Sequence, residues 1–258
     1  MHPRPAMLYE VVRQEGSLEL ERTFSALWWS GIAAGLSMGF SLLVMAVLET
    51  LISNDGMAGS LITPLGYSVG FVIVVLARQQ LFTENTITAI LPLMAETTWE
   101  NLYRTTRLWS IVLIANLVGT FVFALFMAYS GAASADVLAS ARGIALHLMD
   151  KSGSQMFFGA IFAGWLVASM VWVTPATEGM EFWVVLFFTY AIALIGASHI
   201  IAGSVEAYLL ILHGDISAWY ALTHFAIPTL LGNIVGGTTL FAMLSYAQVR
   251  EEIAPEES

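Results

Sequence analysis

Apolar residues along this chain come in long runs. Six of them approach or exceed the about 20 helical residues that a bilayer requires: 26–51, 62–93, 108–129, 156–173, 182–212 and 225–247. The pattern predicts an all-α integral membrane protein with six transmembrane helices. Runs two and five are too long for one straight span, and both carry polar residues and glycines at their middle. In run two, Arg78, Gln79 and Gln80 lead into Thr83, Glu84, Asn85 and Thr86. In run five, Gly196, Ser198, His199, Gly203, Ser204 and Glu206 fall mid-segment. Irregular backbone at membrane depth is tolerated only where it is buried in protein or lines a wet cavity. Helices 2 and 5 are therefore expected to be broken, and the breaks to form a pore.

The polar remainder changes this picture little. The stretch before run one predicts a short amphipathic helix with Leu8, Val11 and Val12 on one side, divided at Gly16 and lying along the membrane surface. The expected organisation is an N-terminal segment over 1–25, a single transmembrane channel domain over 26–248, and a tail over 249–258. Of 258 residues, 58% are hydrophobic and 11% charged, with a mean hydropathy of +0.77. Soluble domains carry about 25% charged residues, so a soluble enzyme is excluded. Most of the acids behind the net charge of −10 lie in the polar tails and loops, and Glu10, Glu15, Glu19, Glu21, Glu251, Glu252, Glu256 and Glu257 read as solvated ends. Nine basic residues scattered singly make no nucleic-acid patch. The absence of cysteine excludes disulfides, thiolate metal sites and cysteine nucleophiles.

Basic residues also suggest an orientation. With a cytoplasmic N-terminus, Arg4, Arg13, Arg22, Arg104, Arg107 and Arg250 lie inside, Arg142 and Lys151 outside, and Arg78 within the membrane. Both termini are then cytoplasmic, as an even helix count requires.

Runs three and six share a phrase, Asn116-Leu-Val-Gly119 and Asn233-Ile-Val-Gly236. Thr83 precedes Asn116 by 33 residues, and His199 precedes Asn233 by 34. Two halves, about 26–130 and 155–248, thus place a break and an Asn-x-x-Gly at matching offsets. Three spans per half is an odd number, so the second half enters from the opposite side. Paired interrupted segments in an inverted repeat point to a transport site. Small residues also serve close helix packing, which accounts for the glycines but not for the matched asparagines.

His199 is the histidine deep within a run, and its charge can change near neutral pH. A neutral histidine bonded to a carbonyl of the break is the alternative role. Thr83 offers a hydroxyl that both donates and accepts, or a cap for the half-helix that follows. Arg78, Glu84 and Glu206 are the intramembrane charges. An ion at the bilayer centre costs about 2.5–3.5 kcal/mol on the insertion scale, so Arg78 is expected to pair with Glu84 or Glu206. No nucleophile, metal cluster or cofactor motif is present, so neither enzyme activity nor a cofactor is expected.

The run LFTENT, from Leu81 to Thr86, together with mid-segment His199 and NIVGG from Asn233 to Gly237, resembles the formate–nitrite transporter family over nearly the whole chain. It looks most like a less-characterised bacterial inner-membrane branch. The resemblance implies an aquaporin-like protomer, a homopentamer in the bacterial inner membrane, and small monovalent anions as cargo. It implies that Thr83 and His199 form the central hydrogen-bonded pair. Leu81 and Phe82 correspond to the cytoplasmic-side constriction, Tyr67, Phe71, Val167 and Ile192 to the pore lining, and Lys151 to the outer mouth. Gly164 and Gly203 stand where the family has asparagines, Ser198 where many members are acidic, and Glu84 where glycine or serine is usual; Glu206 is a further departure.

The expected function is a channel or transporter for anions of weak acids such as formate, nitrite or acetate, with proton transfer through His199. A channel for a neutral solute or a cation, and a non-transporting scaffold with a degenerate pore, are the alternatives.

Overall fold

A computed structural model describes residues 4–52 and 57–253, and among these the fold is entirely helical. Helix α1 (Pro5–Leu20) precedes α2 (Phe24–Leu51) and α3 (Met57–Leu76). Two short helices follow, α4 (Phe82–Thr88) and α5 (Ile90–Ala95). Then come α6 (Trp99–Tyr129), α7 (Ala135–Met149), α8 (Gly153–Val173), α9 (Glu181–Leu194) and α10 (Ile200–His213). The last helix, α11 (Ala218–Glu252), contains two wider π segments, Ala221–Ala226 and Val235–Ala242. Helices α2, α3, α6, α8 and α11 are long and apolar enough to cross a membrane, while α9 and α10 are shorter apolar helices.

Hydroxyls set several of the starts. Thr23, Thr98 and Ser134 accept from the first-turn amides of α2, α6 and α7. Ser152 and Gln155 exchange bonds as a full capping box on α8. The Thr98 cap starts α6 nine residues before the apolar run does. The Ser134 cap starts α7, a helix that hydropathy alone does not reveal, which buries Ala141, Ala145, Leu148 and Met149.

Glycines let the spans cross closely. A Cβ on Gly35 of α2 would sit 2.9 Å from Cα of Gly119 on α6, and one on Gly236 of α11 would sit 2.1 Å from the Ile161 carbonyl of α8. Real side chains essentially never approach backbone so closely, so each crossing requires its glycine.

The N-terminal helix departs from the sequence expectation. It is continuous through Gly16, and its buried face is Tyr9, Val12, Gly16 and Leu20, while Val11 is exposed. A Cβ on Gly16 would lie 1.9 Å from the Thr88 carbonyl, so this glycine serves contact with α4 rather than a helix break. Tyr9 stacks at a tilt on Tyr246, 5.7 Å between centroids. Helix α1 therefore packs on the bundle, and α11 runs into the expected tail, burying Val249.

Candidate functional site

Both breaks are built the same way, 118 residues apart. Helix α3 ends with Arg78 in the left-handed region (φ 53°), and α9 ends with Gly196 there (φ 64°). Arg78 N–H donates to Val75 O and Gln79 N–H to Val74 O; Gly196 N–H donates to Ala193 O and Ala197 N–H to Ile192 O. These paired bonds close each helix end. The chain then extends through Leu81 (φ −110°) or His199 (φ −125°) and re-enters helix at Phe82 or Ile200.

One asparagine secures each re-entry. Asn116 Oδ1 accepts from Phe82 N–H at 2.9 Å, while its Nδ2 donates to Gly31 O and Gln80 O. Asn233 Oδ1 accepts from Ile200 N–H at 2.9 Å, and its Nδ2 donates to Ala160 O and Ser198 O. Both side chains are fully buried. These bonds correct the register read from spacing. The partner of His199 in this local correspondence is Leu81, and Thr83 corresponds to Ile201.

Thr83 and His199 nevertheless meet, with Thr83 Oγ1 and His199 Nε2 2.7 Å apart in the buried interior. Ala202 N–H donates to His199 Nδ1 at 3.2 Å. In the neutral ring Nδ1 is then the acceptor, which leaves the hydrogen on Nε2. Nε2–H donates to Thr83 Oγ1, and the threonine hydroxyl hydrogen stays free for a passing acceptor. Histidine thus acts as helix cap and as donor to Thr83, and it bonds an amide of the following helix rather than a carbonyl of the break. Thr83 is held in turn, because Thr86 Oγ1 donates to its carbonyl and Thr238 Oγ1 to that of Thr86.

Apolar rings surround the pair. Phe71 meets the His199 ring edge-on at 5.1 Å, and Tyr67 lies 5.2 Å from Phe71. Leu81, Phe82, Val167 and Ile192 are buried in the same apolar cluster, with Phe82 edge-on to Trp109 at 5.7 Å.

The charges sit differently from the sequence expectation. Arg78 is not a membrane-interior cation. Its side chain is 79% exposed and donates to Glu15 Oε1 at 3.1 Å. The left-handed turn swings it into a cavity of about 410 Å³ beside α1, which Glu84 also lines. Glu84 Oε1 is buried without a hydrogen-bond partner. Glu206 is 8% exposed, on α10. Lys151 donates from Nζ to Gly196 O at 2.7 Å, at a second mouth of about 660 Å³. Burial pushes the Lys151 ammonium down, and the Glu206 carboxyl opposes that shift.

Glu19 is also not a solvated end. It accepts from Gln80 Nε2 (3.0 Å), Asn85 Nδ2 (3.0 Å) and Thr88 Oγ1 (2.7 Å). Burial pushes its carboxyl up, outweighing the Thr88 and Gln80 bonds that pull it down. Helical spacing carries the missed signal: Tyr9, Val12, Gly16 and Leu20 repeat every three to four residues, and Glu19 adjoins that face.

The substituted positions are filled rather than vacated. A Cβ on Gly164 would lie 2.3 Å from Asn233 O, and one on Gly203 would lie 2.6 Å from the Phe225 ring. Neither position has room for an amide. Ser198 is buried and donates to Met156 Sδ at 3.4 Å.

Apolar spans held together at glycines, with a polar pair enclosed at their centre, define a helical membrane protein of the channel and transporter class. The chain belongs to the formate/nitrite transporter family, whose model matches residues 6–247. It is 43% identical to the inner membrane protein YfdC of Escherichia coli K12, across 97% of this chain and 81% of that protein. It is 27% identical to the formate channel BtFdhC of Bacillus thuringiensis, across 95% of each. A pentameric formate channel solved with formate bound shares the fold at a TM-score of 0.77 and 21% identity, over 88% of this chain and 98% of that one. Family and structural neighbours are channels and transporters, not enzymes.

Proposed function

We propose that this chain forms a homopentameric channel for small monovalent anions of weak acids in the bacterial inner membrane, with both termini cytoplasmic. Six spans in two inverted halves make one protomer, with α3–α5 and α9–α10 as the broken second and fifth. Residues 26–248 are the channel domain, and the segments 1–25 and 249–258 lie outside the bilayer.

The observation that carries this reading is the bond between Thr83 and His199, buried among Phe71 and Tyr67 where two broken spans meet. A small anion that reaches it meets one fixed donor, the threonine hydroxyl, in an otherwise apolar passage. Hydrated cations find no such partner, and a bare charge in low dielectric is costly. Crossing therefore favours a species that is small, desolvated at little cost and readily neutralised. Leu81 and Phe82 form the constriction on the α1 side, and Val167 and Ile192 line the passage. Lys151 at the opposite mouth attracts the anion.

A second reading has its own support. The cavity beside α1 is lined by Glu15, Glu19, Glu84, Glu178 and Glu181 against Arg22 and Arg78. That negative excess favours a cation or neutral solute. Proteoliposomes with a potassium formate gradient separate the two. Labelled formate uptake without a potassium-driven current is expected, and a reversal potential near that of potassium contradicts the anion reading.

A further inference from the structure

Two buried carboxyl groups are not used by the central pair. Glu84 follows Thr83 directly, lines the 410 Å³ cavity, and has Oε1 buried without a partner. Its charged neighbours are Glu15 and Glu19 of α1 and Arg78 of the break. Glu206 lies on α10, more than a turn past His199, within electrostatic reach of Lys151 and Tyr67. Glu49 and His147 line the same mouth as Lys151. The Tyr67 hydroxyl is also buried without a partner. Glu84 lines the cavity beside α1 and Glu206 lies within reach of Lys151 at the second mouth, so one carboxyl is associated with each mouth.

Glu84, with no donor on its buried oxygen, avoids the cost of a lone carboxylate in an apolar interior as the uncharged acid, whereas Glu206 has the Lys151 ammonium within electrostatic reach. The histidine is poorly placed to supply a proton. Its Nδ1 is occupied by the Ala202 amide, and its Nε2–H already belongs to Thr83. We propose that Glu84 and Glu206 are the proton donor and acceptor of the passage, an inference that rests on the anion reading above. The Glu84 O–H bond breaks as its proton forms an O–H bond with the incoming carboxylate substrate, leaving Glu84 ionised. The neutral acid passes Phe71 and the Thr83–His199 pair. The Glu206 carboxylate then takes the proton, and the substrate leaves as the anion. Glu84 is reprotonated from solvent on its side, Glu206 releases its proton on the other, and one anion and one proton cross together.

Labelled formate uptake and lumenal acidification in proteoliposomes, each above protein-free vesicles, test this. Wild-type protein is expected to carry one proton per formate and to speed up as external pH falls. Glu84→Gln and Glu206→Gln are each expected to lose on the order of a hundredfold in rate, the scale of positioned acid–base groups. Glu84→Asp and Glu206→Asp keep the carboxyl and are expected to recover most of it. Gln variants with the wild-type rate and proton ratio would overturn the inference alone. Loss in Gln without recovery in Asp would also overturn it, by marking a structural role. Absence of formate uptake by the wild type would overturn the anion reading and this inference with it.

Discussion

The two breaks share a backbone and differ in chemistry. Each has a left-handed residue closing one helix and an extended residue opening the next, and a buried asparagine holds three backbone groups. At the first break the left-handed residue is Arg78 and the opening residue is Leu81. At the second they are Gly196 and His199. The α1 side of the first break is tied down by a carboxylate that accepts three bonds. The second is held by a lysine on a single carbonyl. A common scaffold therefore fixes the geometry, while side chains decide what each break does: one is anchored to an accessory helix, and the other presents the histidine.

The sharpest way to break the likeness is to remove an asparagine. Asn116→Ala or Asn233→Ala orphans one buried amide and two carbonyls, each costing about 1–3 kcal/mol. Both variants are expected to lose several kcal/mol and by similar amounts, read as thermal stability in detergent. A large loss at one site and none at the other would show that the breaks are not built alike.

Gly203→Asn comes next. The side chain would displace Phe225, and overpacking of this kind costs about 1–3 kcal/mol. A fully stable variant with faster formate uptake would instead show that the passage has room for an amide there.

The asymmetric anchor gives a pH signature. Burial holds the Glu19 carboxyl above its ordinary value of 4.5. The folded protein thus binds this proton more tightly than the unfolded chain. Its contribution is fully present below 4.5 and is lost as pH rises through the raised folded value. Glu19→Gln is expected to flatten that part of the stability–pH curve. An unchanged curve would place Glu19 in solvent.

The smallest effect concerns the left-handed residues. Arg78→Gly removes a backbone cost of about 1–2 kcal/mol and an exposed ion pair worth about 0–1 kcal/mol, for a net gain near 1 kcal/mol. Gly196→Ala is expected to lose a similar amount, because nothing compensates at that site.

Much of this was legible in the sequence because hydropathy and helix-breaking polarity act locally. Apolar runs marked the long helices, and LFTENT with His199 marked the pair. What was not legible depends on three-dimensional neighbours. The apolar runs begin where side chains turn hydrophobic, but helices begin at caps, so Thr98 and Ser134 start α6 and α7 unannounced. Glu19 looked like one acid among many until three donors from α4 and its break surrounded it. Arg78 looked buried because it lies within an apolar run, yet a left-handed turn carries it to the cavity beside α1. Spacing aligned Thr83 with His199, whereas the asparagine bonds align Leu81 with it. Hydrogen-bond register, unlike composition, is not written at single-residue precision in the chain.

The central claim is that the Thr83–His199 bond forms the selective point of an anion passage. Formate uptake into proteoliposomes, for wild type, Thr83→Val and His199→Ala, addresses it most directly. Rapid uptake by the wild type and a loss on the order of a hundredfold in both variants, with folding retained, is the expected result. Uptake that is indifferent to both substitutions would contradict the account.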